Sequence, residues 1–165
     1  MKTYNILSNE EFKTKITNNS RLLGIDPGAK NIGFSISDEN QKVATPLKTI
    51  KKTKFKILLN EIIDLIKENS IKGIIVGNPI NMDGSIGKSS QSAIDFAKSL
   101  SKNVTIPITM WDERLSSEAS FKITKELGTN VSNRVKKIDE NAAAFILQGA
   151  IDYLSNWEKS LHTYL

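Results

Sequence analysis

With 165 residues, 39% hydrophobic and 25% charged, the chain has the length and composition of one globular domain able to bury a real core. It has no cysteine, and its one histidine, His162, lies among the last four residues, which excludes disulfides, thiolate zinc sites, cysteine nucleophiles and His-based triads. The formal charge of +5 and pI near 9.3 permit a polyanionic partner, while no apolar run reaches the roughly 18 residues of a membrane span.

The first 20 residues read as an appendage. Ser8 and Glu11 have capping-box spacing, which predicts a short helix through about Ile16. No apolar core of a signal peptide is present, so the expected location is the cytoplasm.

Residues 22–37 form the most informative stretch. A short apolar run ends at Asp26, Pro27-Gly28 makes a turn, and a second run alternates apolar with small polar residues. That pattern predicts a β-hairpin with an acid at the end of its first strand. Gly28 offers a cheap positive φ, and Gly24 and Gly33 leave the backbone bare for a close approach. Asp26 then either holds a metal ion or faces a phosphate, or it is a turn aspartate bonded to its own backbone.

Residues 43–50 predict a third strand, with Pro46 marking an edge or bulge. Phe55, Leu58, Leu59, Ile62 and Ile66 share one face at helical period, so residues 54–68 are a helix. Residues 71–76 carry an unbroken apolar run, as a strand covered on both faces would. A loop follows, then a helix over about 87–100, a strand over 104–110, and a helix from Ser116 or Ser117 to Gly128. Residues 129–137 are a polar, basic loop, and a last helix runs from about Asp139 to Leu154. Strands first, then alternating strand and helix, describe a single α/β domain with a partly antiparallel sheet. Gly87-Lys88-Ser89 looks like the end of a phosphate-binding P-loop, but Met82 stands where that motif needs glycine. The helix amides there remain able to meet a phosphate.

Asp26 ends a strand, Glu113 stands where a later strand leaves the sheet, and Asp139 opens the last helix on its apolar azimuth. Singly, Glu113 could pair with Arg114, and Asp139 could be an N-cap. Together, three convergent carboxylates would repel one another without cations, and oxygen donors at that density suit Mg²⁺ or Mn²⁺. Two such ions can drive phosphodiester cleavage without histidine or cysteine. The basic residues fit a phosphate backbone: a lysine run over 48–56, and Arg134, Lys136 and Lys137 just before Asp139. The lysine run is equally well explained as a solvated helix start.

Three segments then carry a family resemblance. They are residues 23–33 with Ala44-Thr45-Pro46-Leu47, residues 76–85, and residues 112–119 followed by Asp139 and the run 142–148. In order and spacing over about 21–154, the chain resembles the YqgF/RuvX family of pre-16S rRNA nucleases and Holliday-junction-resolvase-like proteins. Asp26-Pro27-Gly28 is nearer to the RuvC type of resolvase, and Ser116 and Ser117 replace the threonines common in the family. The resemblance implies an RNase H-like fold, a five-stranded mixed sheet flanked by helices, over 21–156. Residues 1–20 would then be an extension and 157–165 a tail. It also implies metal-dependent phosphodiester hydrolysis by Asp26, Glu113 and Asp139, with Lys30 and Arg114 near the scissile phosphate. The implied substrate is the 5′ end of precursor 16S rRNA. A junction-resolving DNA endonuclease and a nucleic-acid binder with little catalysis are the alternatives. The expected partners are structured RNA or branched DNA, with no membrane, and the expected state is a monomer or weak homodimer.

Overall fold

A computed structural model of the protein describes residues 5–115 and the helix over 142–164, with side chains as far as residue 156. Six strands form one sheet: β1 (Ile6–Leu7), β2 (Arg21–Pro27), β3 (Asn31–Ser37), β4 (Ala44–Lys51), β5 (Ile71–Asn78) and β6 (Ile108–Asp112). Their spatial order is β1-β6-β5-β2-β3-β4. The pairs β2/β3 and β3/β4 are antiparallel, whereas β2/β5, β5/β6 and β1/β6 are parallel. The mixed sheet is as expected, with six strands instead of five. The sixth is β1, which covers the free edge of β6; a two-residue strand is too short to show any period of its own.

Helices cover both faces. On one, α2 (Phe55–Asn69) and α3 (Lys88–Ser101) bury Leu58, Ile62, Ala97 and Leu100 against Leu23, Ile25, Ile74 and Val76. On the other, α1 (Asn9–Lys15) and α4 (Ala142–Tyr164) bury Phe12, Ile146, Leu147 and Ile151 against Leu22, Ile75 and Trp111. Neighbours in one strand, such as Ile74 and Ile75, thus feed opposite cores, which explains the unbroken apolar run of β5. Ser8 caps α1 as its sequence requires, accepting a hydrogen bond from the Glu11 amide at 3.2 Å.

Two boundaries differ from expectation. The strand expected over 104–110 begins only at Ile108, because Pro107 has no amide for the ladder and contributes only its carbonyl, to the Ile74 amide at 2.9 Å. The last helix runs past Leu154 to Tyr164. The expected helix after Ser116 and Ser117, and the stretch leading into α4, lie outside the described residues.

The sheet face under α4 is paved with small residues. A Cβ on Gly24 would collide with the Ser35 hydroxyl and lie 2.8 Å from Leu147 Cβ. A Cβ on Gly77 would lie 2.6 Å from Ile146 Cδ1. The buried Ser35 hydroxyl donates to the Ala143 carbonyl at 2.7 Å, using one backbone acceptor of the helix. Further along, Gln148 accepts from the Ala44 amide at 2.8 Å and donates to the Lys42 carbonyl at 2.9 Å. The close approach expected at Gly24 is therefore made by a helix. It seats the start of α4 beside Gly33, whose added Cβ would stand 3.4 Å from Ala143 Cβ.

Candidate active site

Because β2, β5 and β6 are parallel, their C-terminal ends share one edge of the sheet, the place where open α/β sheets bind ligands. Asp26 lies at that end of β2, opposite Gly33 of β3, and the alternation of the strand puts it on the α4 face. Glu113 follows β6 directly, in the 3₁₀ turn Glu113–Leu115. β5 lies between them, and Gly77 near its end leaves room above the strand for the Glu113 carboxylate: a Cβ there would be 2.6 Å from Glu113 Oε1. The intervening strand thus spaces the two acids without screening one from the other.

Their electrostatics differ from those of surface carboxylates. Burial raises the pKa of Asp26. Glu113 is pushed up to about 7, first by burial, then by the nearby charges of Asp26 and Asp112. Arg114, which could have neutralised Glu113, forks onto Asp112 instead, with Nε to Oδ1 at 3.0 Å and Nη2 to Oδ2 at 2.7 Å. The Arg114 amide also donates to Asp112 Oδ1 at 3.0 Å, and these bonds hold the Asp112 carboxyl below its usual range. Among the described residues, no hydrogen bond or ion pair neutralises Asp26 or Glu113. Two half-buried hard-oxygen acids, both costly to ionise through burial and Glu113 also through the charge of Asp26, are a donor set that fits a divalent cation.

Asp26 stands between two clefts. One, of about 370 Å³, passes between β4 and the start of α4 and includes Asn31, Gly33 and Ala143. The other, of about 400 Å³, contains both Asp26 and Glu113, and is bordered by Lys52, Lys88 and Ser89. Lys88 and Ser89 open α3, behind the N-cap Gly87. Lys52 belongs to the lysine run that fits a phosphate backbone, and Lys88 and Ser89 to the helix start whose amides can meet a phosphate.

The other expected residues are placed as follows. Lys30 is exposed at the tip of the β2–β3 turn, where its carbonyl accepts from the Lys52 amide at 2.8 Å. Arg114 lies beside the 79–87 loop, its Nη1 being 3.7 Å from where a Cβ on Gly84 would be. Gly84 is the one glycine among the described residues with positive φ, at 90°; Gly28 does not have it. What demands glycine at 28 is space, since a Cβ would lie 2.5 Å from the Asn31 carbonyl oxygen. Asp139, Arg134, Lys136 and Lys137 lie outside the described residues. Within the described ones, no third His, Cys, Asp or Glu joins Asp26 and Glu113 in a ligand cluster.

A mixed sheet with an acid at the end of its central strand, a second acid after a parallel strand one further along and a helix start packed over the first defines an RNase H-like domain. The solved structures with this architecture include *Thermus thermophilus* RuvC in complex with Holliday junction substrate, at TM-score 0.55 and 12% identity, covering 83% of this chain and 96% of that one. The yeast mitochondrial Holliday junction resolvase Ydc2 matches at TM-score 0.54 and 12% identity, covering 95% and 90%. Residues 20–153 match the sequence profile of the family described as RuvX, Holliday junction resolvase. A *Pelagibacter ubique* protein named as a candidate pre-16S rRNA nuclease is 56% identical over 147 residues, 89% of this chain and 97% of its own length. A *Ruegeria pomeroyi* protein of the same name is 44% identical over 89% and 96%. The chain belongs to the RuvX family, as its sequence resemblance implied.

Proposed function

We propose that the protein is a metal-dependent endonuclease that hydrolyses phosphodiester bonds in structured RNA, acting in the cytoplasm on the 5′ end of precursor 16S rRNA. The observation that carries this reading is the pair Asp26 and Glu113 in one cleft, both half-buried and neither neutralised by a described basic side chain. The names of the relatives supply the substrate. Asp26 and Glu113 would hold Mg²⁺ or Mn²⁺, with Asp139 as the third ligand. Held by these carboxylates, such ions would supply a water activated as nucleophile and charge stabilisation at the leaving oxygen. The chain's own part is positioning. Pairing across β2 and β3 fixes Asp26, Gly77 admits Glu113, and Lys52, Lys88 and Ser89 offer charge and donors to the phosphates on either side of the scissile bond. Lys30, Arg114, Arg134, Lys136 and Lys137 would add further contacts to the nucleic acid.

The test is cleavage of precursor rRNA and of four-way DNA junctions, with and without Mn²⁺, by wild type and Asp26→Asn. Metal-dependent RNA cleavage that Asp26→Asn abolishes, with the fold intact, is expected. Undiminished cleavage by a clean preparation of the variant would overturn the reading. The second reading, a DNA junction resolvase, is favoured by the family's description. It requires symmetric cuts and therefore a two-fold dimer on the junction, which sedimentation detects.

A further inference from the structure

A third cavity, of about 280 Å³, continues from the acidic cleft on the face covered by α2 and α3. It shares Pro27, Gly28, Lys52 and Ser92 with that cleft, so the two form one path away from Asp26 and Glu113. Its character changes along the way. The acidic cleft has charged walls, whereas here the wall is Phe55 at the start of α2 and Phe96 in α3. The two rings meet edge to face, with centroids 5.9 Å apart and planes at 80°. Both are only partly buried on the edge of the core, so aromatic surface is left to line the opening. Asp95 and Ser99 sit on its rim, and the Asp95 carboxylate accepts from the Gln91 side-chain Nε2 at 3.0 Å with acceptor capacity to spare.

An aromatic wall, a carboxylate acceptor on the rim and a lysine at the entrance match a nucleotide: a ring to stack, an exocyclic amino group to donate and a phosphate to hold. A base still stacked in a duplex presents no free face to such a wall. We infer that the groove walled by Phe55 and Phe96 receives one unpaired nucleobase of the RNA strand cleaved at Asp26 and Glu113, and so directs cutting to a single-stranded nucleotide beside a structured element. This rests on the nuclease reading above and adds to it the conformation of the substrate. Lys52, common to both cavities, would hold the intervening phosphate.

The experiment separates the two claims by measuring binding without cleavage. RNA hairpins with a single-stranded 5′ extension carry the fluorescent base 2-aminopurine at successive positions and are titrated with the full chain in EDTA. One position should quench on binding and its neighbours should not. Phe96→Leu, which keeps apolar volume but removes the aromatic face, should abolish that quench and raise Kd roughly tenfold. The same RNA with an abasic residue at that position should bind wild type and Phe96→Leu equally. Phe55→Leu serves as a second variant should Phe96→Leu fail to fold. Quenching at no position, or a quench that survives in the folded leucine variant, overturns the proposal. In a parallel arm with Mn²⁺ replacing EDTA, absence of cleavage of the same RNA by wild type, with the quench retained, would overturn the nuclease reading and leave the base groove standing.

Discussion

Gly77 lies directly beneath the Glu113 carboxylate: a single Cβ added there would stand 2.6 Å from Glu113 Oε1 and 2.6 Å from Ile146 Cδ1. One missing methyl thus admits both a site carboxylate and the helix behind it. Gly77→Ala should displace Glu113 and lower kcat about a hundredfold, as misplacement by about 1 Å does, with an overpacking cost of about 1–3 kcal/mol. Gly33→Ala is the contrast. Its Cβ meets Ala143 Cβ at 3.4 Å and Asp26 Cβ at 3.8 Å, ordinary contact, so it should cost under about 1 kcal/mol. Denaturation midpoints and single-turnover rates for the two variants check this. Equal rates for Gly77→Ala and wild type would show that the position of Glu113 does not matter.

The raised pKa of Glu113 predicts a pH dependence of stability with a definite sign. Its folded value is about 7 against an ordinary 4.5, so between those pH values the folded protein binds more protons than the unfolded chain. Without metal, stability should therefore fall as pH rises from about 4.5 to 7 and level off above. The loss should be about 1–2 kcal/mol, discounted because the group is only half-buried. Asp26, also raised, adds to the fall in the same direction, whereas the lowered Asp38, Asp83 and Asp112 act only at more acid pH. Divalent cation should reverse the trend, since it binds the ionised carboxylates and releases protons. Urea titrations from pH 5 to 8, in EDTA and in Mn²⁺, measure both slopes. An unchanged slope in Glu113→Gln would refute the assignment.

Lys52 and Lys88 border the cleft that contains the acids, and Lys72 lies on the far end of β5. If the cleft carries a phosphate backbone, Lys52→Ala and Lys88→Ala should each weaken RNA binding alike across sequences. Each should also reduce the slope of log K against log salt by roughly 0.7–0.9. Lys72→Ala should leave the slope unchanged. Filter binding at several salt concentrations decides; identical slopes for all three would move the backbone path elsewhere.

What the sequence discloses, and what it does not, follows range. The β2–β3 hairpin is legible because period-2 alternation and Pro27-Gly28 are local signals, and α2 is legible through the spacing of Phe55, Leu58, Leu59, Ile62 and Ile66. Asp26 and Glu113 are legible as acids at strand ends, and the parallel order of β2, β5 and β6 does bring them to one edge. The partner of Arg114 is not legible. Two adjacent acids, Asp112 and Glu113, offer the same charge, and only the space above Gly77 turns Glu113 inward and leaves Asp112 to the guanidinium. Nor are Gly24 and Gly77 legible as the bed of α4, because their neighbour Leu147 or Ile146 is distant in sequence.

The N-terminal segment shows the same limit and yields the last prediction. Short and polar in sequence, it nevertheless places Phe12 fully buried in the second core, and a Cβ on Gly73 would lie 2.7 Å from Phe12 Cζ. Asn5 ties the strand before it to the sheet, its side-chain amide donating to the Val104 and Ile106 carbonyls while its own carbonyl accepts from the Ile108 amide at 2.9 Å. β6 carries Glu113 at its end, so loosening β1 and α1 should loosen the site from behind. Phe12→Ala should destabilise the protein by about 3–5 kcal/mol. Gly73→Ala, which forces Phe12 out of its seat, should cost about 1–3 kcal/mol. Thermal or urea denaturation measures both. A loss below about 1 kcal/mol in Phe12→Ala would mean that the segment is dispensable to the core and that β6 holds Glu113 without it.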